Sequence, residues 1–102
     1  MSVLSVNKDN FNELLNGPKP VLLDFYADWC GPCQMVKPIL SEIAQEHPEY
    51  VIGKINVDEE MELAQRFSVV SIPLLVVLKN GKVTSQAVGF RQKEQILEML
   101  EG

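Results

Sequence analysis

The chain has two cysteines, Cys30 and Cys33, three positions apart in the stretch WCGPC, residues 29–33. Thiols at that spacing can form half of a zinc site, staple a loop, or exchange reversibly with other disulfides. Structural zinc needs four ligands, and the one remaining strong candidate is the lone histidine, His47, far along the next helical pattern. A staple closing so short a loop contributes only about 2 kcal/mol of chain entropy. The third chemistry fits the placement best. The apolar run 21–27 reads as a strand and a helical pattern begins near 32, so the pair falls where a strand ends and a helix begins. Cys30 then stands at a helix N-terminus, among unpaired backbone amides and the positive end of the helix dipole. Both favour the thiolate, which is the nucleophile. Pro32 suits a first helical turn, Gly31 presents no side chain to an approaching substrate, and Cys33, one turn in, is within reach of a mixed disulfide on Cys30.

Two charges interrupt apolar runs. Asp24 lies inside VLLDFYA and Lys54 inside VIGKINV. Charges in strand interiors are expensive unless paired, and opposite signs on neighbouring strands lead to the expectation that these two face each other. One reading is a structural ion pair, or exposed strand positions. The other is that Asp24 lies beneath the thiols and moves the proton that Cys33 must lose. Asp28, in the strand-to-helix loop, is expected to be solvated. Trp29, just before the nucleophile, reads as a contact surface for partners, and Ile72-Pro73 as the opening of a strand, with either a trans or a cis bond.

The elements that must hold these residues follow from periodicity. Residues 3–6 alternate as a short edge strand, and Asn7 or Asp9 can cap a helix running to 16. Strands are expected at 21–27 and 50–58, and helices at 32–46, with a kink at Pro38, and 59–67. A strand, an Asn80-Gly81 turn and a second strand follow, then a helix at 92–101. Strands alternating with helices imply parallel pairing, and the closing hairpin adds an antiparallel part. The expected fold is α/β, a mixed five-stranded sheet with helices on both faces in one domain, 1–102.

Composition narrows the function classes. Hydrophobic residues make up 46% and charged residues 23% of 102, a globular balance, and the net charge is -5. That charge argues for a soluble monomer and against nucleic acid or an anionic membrane as partner. The first residues carry no basic region, long apolar run or cleavage pattern, so no secretory signal is expected, and with only two cysteines the reducing cytoplasm is the expected location. No dinucleotide fingerprint is present.

Taken together, DFYADWCGPC, Pro38, KINVD, SIPLLVVLKNGK and VGF resemble the thioredoxin family through essentially the whole chain. The resemblance implies the thioredoxin fold and a protein-disulfide reductase with Cys30 attacking and Cys33 resolving. It implies Asp24 as the buried acid with Lys54 beside it, and a cis Pro73, with the Ile72 backbone pairing to the substrate main chain as a transient strand. Trp29, Gly31, Pro32, Val88, Gly89 and Phe90 would complete the contact surface. No bound cofactor or metal is expected, and the expected partners are protein disulfides and a thioredoxin reductase that recharges the pair. The sequence departs from the family pattern at Tyr26, Gln34, Leu74 and Phe90; Leu74 and Phe90 are expected to narrow the substrate groove. A thioredoxin-like oxidant or isomerase, and a non-catalytic binding module, are the rival readings. The Gly-Pro between the cysteines favours the reductant.

Overall fold

A computed structural model describes residues 2–102. Among the described residues the order is β1 (Leu4–Ser5), α1 (Phe11–Asn16), β2 (Val21–Tyr26), α2 (Gly31–Glu46), β3 (Val51–Asn56), α3 (Met61–Arg66), β4 (Leu74–Lys79), β5 (Lys82–Val88) and α4 (Lys93–Glu101). This is the expected succession, with most elements a residue or two shorter than the periodicity suggests. One mixed sheet runs β1-β3-β2-β4-β5. β1 and β2 pair parallel with β3, while β4 runs antiparallel to β2 and β5. As expected, β1 lies at an edge.

Strand alternation sorts the apolar residues into two cores. Val21, Leu23 and Phe25 of β2, with Leu74, Val76 and Leu78 of β4, pack with Phe11 of α1 and Leu63 of α3. Leu22, Leu75 and Val77 project from the other face and pack with Val36, Leu40 and Ile43 of α2 and with Ile96 and Leu100 of α4. β2 is buried along nearly its whole length, which explains its continuous apolar run.

Local chemistry sets the ends. Asn7 Oδ1 accepts the backbone N–H of Asp9 and of Asn10, turning the chain into α1, although the residue flanking the helix is Asn10. Gln92 and Gln95 form a reciprocal capping box at α4. Asn80 and Gly81 both take positive φ, 54° and 77°, the conformation a two-residue hairpin turn requires. α2 runs through Pro38 as one helix of 16 residues.

Leu74 departs from its expected place. It is 5% exposed and belongs to the core on the α1/α3 face, so it does not line a groove. The strand begins at Leu74, after Ile72-Pro73, and the alternation from there turns positions 74, 76 and 78 inward together.

Candidate functional site

The site lies where β2 ends and α2 begins. Cys30 is the N-cap of α2, with Pro32 in the first turn. Its Sγ accepts the Cys33 backbone N–H at 3.2 Å, one of the amide donors that a helix start leaves unpaired. Cys30 and Cys33 are joined as a disulfide, Cα atoms 5.3 Å apart. A Cβ built on Gly31 would meet nothing within 4 Å, so the approach to the sulfurs on that side is open.

Both thiols are buried, although a nucleophile at the start of a helix would be expected to be exposed. Cys33 is 1% exposed, but Cys30 is only 5% exposed as well. Both sulfurs pack in a small cluster with Ala27, against Tyr26, Val57 and Ile72. The cover over Cys30 comes from a segment 42 residues away: the Ile72 carbonyl oxygen lies 3.8 Å from its Sγ.

The Ile72-Pro73 peptide bond is cis, with Ile72 half-buried and Pro73 buried. Gly89 donates its N–H to the Pro73 carbonyl at 2.8 Å, which ties the end of β5 to this loop. Gly89 holds φ at +93°, a conformation that strains any other residue. Around the disulfide, Trp29 is 72% and Val88 53% exposed, and Gly31 and Pro32 are also exposed. The Trp29 indole is not free, because its Nε1 donates to Asp58 Oδ2 at 2.9 Å. Phe90 is half-buried and packs against the α2/α4 core.

Asp24 and Lys54 are register neighbours on β2 and β3. No ion pair within 4 Å joins them among the described residues, so the expected pairing is one of neighbours, not of a salt bridge. Asp24 is 2% exposed and its Oδ1 has no hydrogen-bond partner. Burial pushes its carboxyl from 3.8 up to about 7, against the opposing pull of the Lys37 ammonium and then of Lys54. Lys37 is the residue that sequence reasoning passed over. It follows Cys33 by four positions, and that helical spacing was its signal.

A disulfide at a strand-to-helix junction beside a cis X-Pro loop, with a buried carboxyl of raised pKa on the preceding strand, invites comparison with known proteins. The thioredoxin family model matches residues 2–102. The chain belongs to the thioredoxin family. It is 42% identical over 96 residues to a thioredoxin of Alicyclobacillus acidocaldarius, covering 93% of this chain and 91% of that one. It is 42% identical over 103 residues to a thioredoxin of Staphylococcus haemolyticus, covering 99% and 97%. A solved mutant thioredoxin from Halobacterium salinarum superposes with a TM-score of 0.91 at 34% identity, covering 98% of this chain and 88% of that one. As a member of that family the chain is a thiol–disulfide oxidoreductase: it reduces protein disulfides by exchange through the reversible Cys30–Cys33 pair. Family membership implies disulfide substrates and a reductase partner in general terms. Among the described residues, no helix is long and apolar enough to cross a membrane.

Proposed function

We propose that Cys30 is the attacking thiol, Cys33 the resolving thiol, and Asp24 the group that takes the Cys33 proton. The observation that carries this reading is the Cys33 N–H directed at Cys30 Sγ from the first turn of α2. A donor there stabilises a thiolate on Cys30 and does nothing comparable for Cys33. In the first step the Cys30 thiolate attacks a substrate disulfide. A Cys30–substrate S–S bond forms, and the other substrate sulfur leaves as a thiolate and is protonated. In the second step the Cys33 proton passes to Asp24, and the Cys33 thiolate attacks the Cys30 sulfur. The Cys30–Cys33 bond forms and the second substrate sulfur leaves. Two electrons have moved from the dithiol to the substrate; the proton that Cys30 released in forming its thiolate, and the Cys33 proton once Asp24 gives it up to solvent, balance the two taken up by the departing substrate thiolates. None of these steps requires a bound cofactor or metal.

Lys54, beside Asp24, favours its ionised, proton-accepting form. Trp29, Gly31, Pro32, Ile72, Pro73, Val88 and Gly89 form the docking surface, with the Ile72 backbone as the edge on which a substrate strand pairs; the cis loop beside Cys30 supports this. Phe90 borders this surface from its core contact. The working unit is a single domain, 1–102, supported by one sheet with a core on each face. It acts as a monomer in electron transport in a reducing cytoplasm, where a thioredoxin reductase recharges the pair and neither nucleic acid nor membrane is a partner. The net charge of -5 and the two cysteines support this.

Alkylation of the reduced protein tests the order of attack. At pH 7 a small iodoacetamide-type reagent is expected to label Cys30 at least about tenfold faster than Cys33, since the Cys33 N–H favours a thiolate on Cys30 and Cys33 is the more deeply buried of two buried thiols. Equal labelling, or Cys33 first, would overturn the assignment.

A further inference from the structure

Lys37 follows Cys33 by one helical turn of α2, so the two side chains lie on neighbouring parts of one helix face. Beneath this stripe, Asp24 of β2 and Lys54 of β3 sit side by side in register on the same face of the sheet. Asp24, Tyr26, Lys37, Pro38, Ser41 and Lys54 are among the residues lining a cavity of about 160 Å³ between helix and sheet. The buried Asp24 forms its interior, with an oxygen that no group partners. Lys54 is half-buried, while Lys37 is exposed and marks the mouth. The Lys37 Nζ lies 6.0 Å from the Tyr26 ring centroid, which keeps the ammonium over this opening. The charged and titratable groups that share this cavity with Asp24 are therefore Lys37 from α2, Lys54 from β3 and Tyr26 from its own strand; Cys33 lies one turn before Lys37 on α2. From β4 the register neighbour is apolar Leu75.

We infer that Lys37 is a positioning residue for thiol–disulfide exchange: its ammonium, at the mouth of the cavity, holds Asp24 in the ionised form that receives the Cys33 proton. The inference rests on the proton-accepting role proposed above for Asp24. The step balances: the Cys33 S–H bond breaks, the proton goes to an Asp24 oxygen, and the electron pair stays on the sulfur that attacks Cys30. A cation near a buried carboxylate favours its charged form. Removing the cation leaves Asp24 protonated to higher pH, so fewer molecules carry the acceptor at a given pH. Of the two lysines, Lys37 exerts the larger downward pull on Asp24. The five exposed or half-exposed lysines elsewhere, Lys8, Lys19, Lys79, Lys82 and Lys93, border no such buried acid, Asp24 being the one buried charged residue among those described.

The test is carboxyl titration by carbon-13 NMR on the oxidised full chain, in which neither cysteine titrates, paired with single-turnover reduction across pH. In Lys37→Met the Asp24 midpoint is expected to rise by about half a pH unit or more. The pH of half-maximal second-step rate should rise with it, and Lys37→Arg should restore both. An unmoved Asp24 midpoint in Lys37→Met, or a moved midpoint with an unmoved rate profile, would overturn the inference. So would a change confined to the melting temperature. If Asp24→Asn reduces substrate at the wild-type rate, the proposed role of Asp24 itself falls, and Lys37 with it as a residue of the reaction. The NMR titration of Lys37→Met then separates that failure from a failure of Lys37 to act on the carboxyl.

Discussion

Asp24→Asn is expected to be more stable than the native chain at pH 7.5 and slower to complete exchange. Burial holds the folded carboxyl at about 7, whereas the unfolded chain titrates near the ordinary 3.8. Below the unfolded value both states are protonated and the carboxyl costs no ionisation energy. Between the two values the unfolded chain releases its proton first, so stability falls as pH rises, and it levels off above the folded value. A gap of roughly three pH units corresponds to about 4 kcal/mol of lost stability on the alkaline side. Asparagine cannot ionise and escapes that loss. Its amide still needs partners in a site where Asp24 Oδ1 has none, which costs about 1–3 kcal/mol. The net expectation is a gain of about 1–3 kcal/mol at pH 7.5 and none at pH 4. In the same variant the second exchange step should slow by roughly 100-fold, the lower end of what a positioned base contributes. Urea melts at both pH values and single-turnover kinetics read the two effects. A variant no more stable at pH 7.5, or one reducing at the native rate, would show Asp24 to be an ordinary carboxylate.

The two cysteine variants are expected to fail differently. Cys30→Ser removes the nucleophile, and disulfide reduction should fall by roughly 10³-fold or more with no covalent substrate adduct. Cys33→Ser retains attack but has no second thiol to release the product. Turnover should fall as far, and a mixed disulfide through Cys30 should accumulate. Neither change should unfold the chain, because both replace a small buried side chain by another and two extensive cores remain. Peptide mapping of the adducts distinguishes the cases. Adducts forming through Cys33 in the Cys30→Ser variant, at a rate like that of Cys33→Ser, would reverse the assigned order.

Much of this site is legible in the sequence because its devices are local. Strand residues followed by Pro32 put Cys30 at a helix start, and the Asn80-Gly81 dipeptide specifies the hairpin. Asp24 is conspicuous because a charge interrupts an apolar run. What escapes the sequence depends on long-range register. The cover over Cys30 is supplied by Ile72 from the far side of α3. Leu74 reads as a groove residue until the strand's first position is known; then its parity with Val76 and Leu78 turns it into the core. Lys37 looks like any lysine on a solvated helix face until α2 is laid on the sheet above Asp24. The absence of a direct Asp24–Lys54 bond is a matter of side-chain reach that strand register alone does not decide.

The central claim is that this chain is a reductant acting through one reversible Cys30–Cys33 pair. Equilibration of the protein against graded thiol–disulfide buffers, with the oxidised fraction of that pair read by mass after alkylation, tests it most directly. A potential close to thioredoxin's own reference value of about -270 mV is expected. A value near -120 mV, characteristic of a strong oxidant, would contradict the account.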